Sequence, residues 1–157
     1  MIITSNFVQH EYTIPSVTIV GDVDGFENVA ERVHIYLNSS TTFDHTYETT
    51  IYDMESPVGI ATTVTESKTV TEFTHYGVDL NTAGISTASF SAWDDLEEDQ
   101  VLQWAFDADE NTIQTRQGME ERVLKAKDKI LNPKRYYRDT PVTPWRIRAD
   151  QQASNNL

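Results

Sequence analysis

The apolar period of this chain changes once, near residue 95, from two residues to between three and four, and that single switch excludes an all-β or an all-α fold. Before it, Tyr12, Ile14, Ser16, Thr18 and Val20 alternate with Thr13, Pro15, Val17 and Ile19, a run rich in β-branched residues that predicts a strand. Pro15 places that strand at an edge or at a break, since proline has no N–H to give to a ladder. Val29, Val33, Ile35 and Leu37 form the strongest apolar face of the chain, opposed by Arg32, His34 and Tyr36. Between these two runs, Asp24-Gly25 predicts a tight hairpin turn. Asn38-Ser39-Ser40-Thr41-Thr42 reads as a second turn, leading to a third strand near Tyr47 to Met54. Residues 55–90 are rich in Thr and Ser and hold one or two further strands around Val64, Val70, Phe73 and Tyr76.

After the switch, Asp95 followed three residues later by Glu98 fits a capping box, with Asp95 at the N-cap of a helix over about residues 95–108. Leu96, Val101, Trp104 and Ala105 supply its buried stripe, with Trp93 just ahead of it. A second helix, over about residues 112–131, repeats Met119, Val123, Ala126 and Ile130 and stops at Asn132-Pro133. The expected architecture is α+β: a small antiparallel sheet or sandwich over residues 2–80, four to six strands in all, packed by the two helices. Its core is expected to join Val33, Ile35 and Leu37 with Trp93, Leu96, Val101 and Trp104. Residues 1–131 form that body, and residues 132–157 read as an extended, Pro-containing arm.

Charge is sorted along the same axis. Positions 1–110 hold 20 acids and two bases, Arg32 and Lys68, for a net of −18, whereas positions 111–157 hold 5 acids and 10 bases, for +5. Hydrophobic residues make up 38 % of the chain and its mean hydropathy is −0.49, a little short of what a self-sufficient globule uses, so a partner is expected to complete some apolar surface. The arm supplies the best docking candidates. Arg135, Tyr136, Tyr137, Arg138, Pro144, Trp145, Arg146 and Arg148 combine the aromatic and guanidinium groups that dominate interface hot spots. Trp145 could equally fold back on the chain's own helices. The last ten residues have the composition of a free tail, and the expectation is that neighbours in a larger assembly pin this end.

Chemistry has little motif support. The absence of Cys removes disulfides, thiolate metal sites and cysteine nucleophiles. His10, His34, His45 and His75 show no ligand spacing, and there is no nucleophile elbow, phosphate loop or zinc helix. Asp22 and Asp24 resemble the start of a calcium loop, but Gly25 arrives too early and no Glu closes it, so a hairpin turn is the simpler reading of a weak candidate site. The basic residues of the second helix are interleaved with Glu120, Glu121 and Asp128, and the body beside them repels phosphate, which argues against nucleic acid as a partner. Neither a signal peptide nor a run of apolar residues long enough to span a bilayer is expected. No enzyme activity and no cofactor are expected.

The order Phe90-x-x-Trp93-x-x-Leu96-Glu97-Glu98-Asp99-Gln100-Val101-Leu102-x-Trp104, then Asn132-Pro133, then Pro144-Trp145, resembles a domain family of small proteins of tailed bacteriophages, those of marine cyanobacteria included. The resemblance covers most of residues 12–145. This chain departs from it in a longer Thr/Ser segment near 62–90 and in the residues after Trp145. The family brings no enzyme activity with it. It implies a phage origin and, with the charge sorting, a virion structural protein made in the host cytoplasm. A capsid accessory or decoration protein docked through its arm comes first, and a tail or neck component second. Its partners would be other virion proteins and further copies of itself, without membrane. An acidic mimic of DNA that blocks a host nucleic-acid-binding protein is the alternative of another class, and it requires the acids of residues 1–110 to form one continuous stripe.

Overall fold

The computed structural model describes residues 1–52, 59–83, 91 and 93–133. They form one antiparallel sheet of four strands in chain order, with two helices after it, the α+β arrangement expected from the period switch. The strands are β1, Ile2–Ser5, β2, Val8–Val20, β3, Val29–Ile51, and β4, Ile60–Asp79. The helices are α1, Glu98–Ala108, and α2, Thr112–Leu131.

Two tight turns set the sheet's order. Asn6 and Phe7, both at positive φ, 50° and 64°, fold β1 back on β2. Asp24 and Gly25, at 49° and 84°, close the β2–β3 connection, where Val23 and Phe26 exchange two backbone hydrogen bonds. The Asp-Gly hairpin turn is therefore as expected. The second expected turn is not there: Asn38-Ser39-Ser40-Thr41-Thr42 lies inside the 23-residue β3, and the third expected strand is that strand's far half. Two of these polar residues are core members with partners. Ser39 is fully buried against His10, and the Thr41 hydroxyl donates to the carbonyl of Phe7. Polarity at inward positions imitated a turn, but each group has a bond to make, so the strand continues. Likewise the Thr/Ser segment holds a single 20-residue strand, β4, in unbroken register with β3 from Arg32↔Asp79 to Ile51↔Ile60.

The helices cover one face of the sheet. Tyr12, Val33, Ile35, Leu37 and Val78 meet Val101, Leu102, Ala105 and Met119 in one core, with Leu96, Trp104 and Phe106 half-buried at its margin. Val33, Ile35, Leu37 and Val101 thus stand where expected, and Leu96, like Trp104, packs against them from the margin. Trp104 is at the margin rather than at the centre, and Leu102 takes the central place. Trp93 does not join: it sits in a short 3-10 turn, Trp93–Asp95, 43 % exposed. The opposite face carries Arg32 paired with Asp79, His34 beside Thr18, and Tyr36 stacked on Phe73, side chains packed across neighbouring strands.

Asp95 is not an N-cap. It lies exposed in the 3-10 turn, the N-cap residue of α1 is Glu97, and no side chain caps that end. The reason lies in β2. Beyond the Met1–Tyr12 backbone pair, the outer edge of β2 has no described strand beside it, and the N–H of Ile14 donates to the Glu98 carboxylate at 3.0 Å, just before Pro15 and a break in register. The Met1 ammonium pairs with Asp99 next to it. The first-turn acids of α1 therefore bind the sheet edge instead of their own helix. Glu98→Ala should cost about 1 kcal/mol through the orphaned amide, and Asp95→Ala less than about 0.5 kcal/mol, as urea unfolding would show.

Candidate functional site

Two features stand out once the fold is in place: a buried polar cluster under α2 and a long ribbon that leaves the sheet. The cluster centres on His10. Extending the alternation of β2 back from Tyr12 puts His10 and Val8 on the covered face, and both are fully buried. His10 Nδ1 lies 2.8 Å from Ser39 Oγ, and Nε2 lies 3.7 Å from the Glu120 carboxylate and 3.4 Å from Ser5 Oγ. The Ser5 hydroxyl also donates to Glu120. One tautomer satisfies the set: Nε2–H faces Ser5 and Glu120 while Nδ1 accepts from the Ser39 hydroxyl. Burial holds the His10 pKa below its ordinary value; the Glu120 charge pulls it up and Arg116 pushes it down. Hydrogen bonding from Ser5 lowers the Glu120 pKa, with Asn6 and His10 adding to it against the cost of burial.

A serine, a histidine and a glutamate in a row resemble hydrolytic machinery in composition only. Ser39 and His10 are both fully buried on sheet strands beneath a helix, so no substrate can reach the hydroxyl. What the cluster does is join three pieces of structure: the β1–β2 hairpin, the middle of β3, and α2. Next to it, the Tyr12 and Tyr76 rings are packed inward, and burial raises the pKa of both, with Arg116 opposing.

The second feature begins where β2 ends. The β2–β3 ladder starts at Gln9↔Ser40, so from Thr41↔Val70 to Ile51↔Ile60 strands β3 and β4 pair only with each other. Eleven residues of each strand, at about 3.3 Å per residue, give a two-stranded ribbon about 35 Å long. At its root Lys127 of α2 lies over the Phe43 ring. Toward its far end Ile51, Tyr52 and Ile60 are 52 %, 69 % and 55 % exposed. Phe7, in the neighbouring β1–β2 turn, is 88 % exposed at positive φ, a conformation that costs a bulky residue about 1–2 kcal/mol.

Of the residues singled out from sequence, Val33, Ile35, Leu37 and Val101 come together, Leu96 and Trp104 border them, and Trp93 and Asp95 do not take part. Arg135, Tyr136, Tyr137, Arg138, Pro144, Trp145, Arg146 and Arg148 lie outside the described residues. Asp22 and Asp24 flank the hairpin turn, and among the described residues no three His, Cys, Asp or Glu side chains gather as a metal site would need. No described helix is long and apolar enough to cross a membrane. No curated protein and no solved structure matches the chain. A family does: residues 7–145, from the β1–β2 turn through both helices and into the arm, match the family described as Domain of unknown function (DUF7936), and the chain belongs to it.

Proposed function

We propose that this protein is a structural part of a tailed-bacteriophage particle, a capsid accessory or decoration protein first and a tail or neck component second. The phage setting rests on the sequence resemblance. The docking role rests on one observation, the ribbon. A two-stranded hairpin is marginally stable in water, and this one ends in apolar side chains that the described chain leaves exposed. Such a tip is best accounted for as a surface to be buried on a neighbouring protein, with the basic arm of residues 132–157 as a second attachment. The DNA-mimic alternative has less support, because the described acids of the ribbon and its root divide between two faces: Asp44 and Glu48 on one, Glu66 and, at the root, Glu72 on the other.

The test replaces residues 47–64 with Asn-Gly, closing the hairpin between the paired residues Thr46 and Thr65, and supplies the shortened protein to a phage that lacks the gene. The expected result is a folded protein, by circular dichroism, that is missing from purified particles by mass spectrometry. Incorporation at full copy number would exclude the ribbon as the anchor. A parallel deletion of residues 134–157 then reads the contribution of the arm separately.

A further inference from the structure

The outer edge of β4, which along the ribbon is the ribbon's own outer edge, offers a further surface, and its sequence carries its own partner. Strand β4 closes the sheet, with β3 on one side and no described strand on the other. Sheet edges are ordinarily blunted by proline, bulges or inward charges. β4 has no proline, and its 20-residue register with β3 contains no shift. The outer edge of β4 is therefore free of bulges and has no described strand beside it, and the charges on the inward side of the strand are Glu66, Lys68 and Glu72.

Residues 63–71 read Thr-Val-Thr-Glu-Ser-Lys-Thr-Val-Thr, the same in both directions about Ser67 except that Glu66 on one side is answered by Lys68 on the other. An antiparallel pair of identical strands with its two-fold axis at Ser67 sets residue i against residue 134 − i. Val64 then faces Val70 of the second copy and Thr65 faces its Thr69, apolar and hydroxyl pairs that favour neighbouring strands. Glu66 faces Lys68 of the second copy, and Lys68 faces its Glu66. The one departure from the palindrome is the one that a two-fold requires, because a perfect repeat would set like charges together.

Charge supports the same register. Lys68 is one of only two bases in the first 110 residues, where the net charge is −18, yet over residues 59–71 Glu66 and Lys68 cancel. Along this stretch, with no net charge, two acidic bodies repel little. Within the chain the two side chains already lie on one face of β4, bridged at 3.1 Å and half-exposed, so adding the second copy extends the pair into a ring of four alternating charges. Sliding the axis by one residue, to 66 or to 68, sets Glu against Glu or Lys against Lys.

We infer that β4 pairs antiparallel with β4 of a second copy about Ser67, giving a two-fold dimer with one continuous eight-stranded sheet. This dimer stands whether or not the protein is a particle component. Sedimentation of the full chain and three charge variants tests it, with circular dichroism as the control for folding. The wild type should dimerise at micromolar concentration. Glu66→Lys and Lys68→Glu should each weaken the dimer by about tenfold, since each turns two attractive pairs into repulsive ones. The double variant exchanges the charges and should regain the wild-type dimer. A monomeric wild type would overturn the inference and leave the edge to a strand of another protein. Equal association of the single variants, or a double variant as weak as they are, would place any dimer on another surface.

Discussion

Leu102→Ala should lower the unfolding free energy by about 3 kcal/mol, a large part of what a body of this size holds in reserve. Leu102 is fully buried in the core that joins α1 to the sheet, and removing its isobutyl group leaves a cavity whose walls belong to two elements that cannot both close on it. The contrast is with Trp93→Ala, which removes a larger side chain yet should cost less than about 1 kcal/mol, because Trp93 sits 43 % exposed on the 3-10 turn ahead of α1. Urea unfolding of both variants, read by circular dichroism, measures the order directly. Equal losses would mean that Trp93 packs as the sequence pattern suggested and that α1 turns a different face to the sheet.

That contrast also marks how far the pattern could be read. The α+β class, the Asp-Gly hairpin, the inner face of Val33, Ile35 and Leu37, and both helices follow from period and turn chemistry alone, because those signals are local. The length of β3 and β4 does not. Ser39 and Thr41 point inward as polar residues, and only the three-dimensional partners, His10 and the Phe7 carbonyl, make that position acceptable. From sequence alone they read as a turn, since exposed polar residues are far more common than paired buried ones. The capping box failed for a related reason: the acids of Asp95 and Glu98 are spaced correctly, but the amide of Ile14, on a sheet edge with no described strand beside it, takes Glu98 as its acceptor. His10 could have been found by continuing the alternation two steps back from Tyr12. Its bonds to Ser39, 29 residues on, and Glu120, 110 residues on, have no local signature.

Stability should fall with acid in two stages, and His10 should own the first. The unfolded histidine takes up a proton near its ordinary value, 6.5, whereas burial keeps the folded ring's value lower, with Arg116 reinforcing and Glu120 opposing that shift. Between the two values the unfolded chain binds more protons than the folded one, so unfolding becomes easier as pH falls below about 7, by at most about 1.4 kcal/mol per pH unit from this residue. Glu120, held below its ordinary value of 4.5 by Ser5 and Asn6, contributes stability that is intact above that value and is lost as pH falls through the lower folded one. The two contributions have the same sign, and that of His10 begins at the higher pH. His10→Gln keeps an amide that can bond Ser39 and Glu120 but does not titrate, so its stability should be nearly level between pH 7 and 5 while the lower stage persists. His10→Ala, by contrast, leaves the Ser39 hydroxyl and the Glu120 carboxylate without their partner beside a new cavity and should cost about 3 kcal/mol already at pH 7. Urea midpoints at half-unit pH steps distinguish these outcomes. A wild-type profile that is level from pH 7 to 5, or a Gln variant with the wild-type slope, would remove His10 as the source.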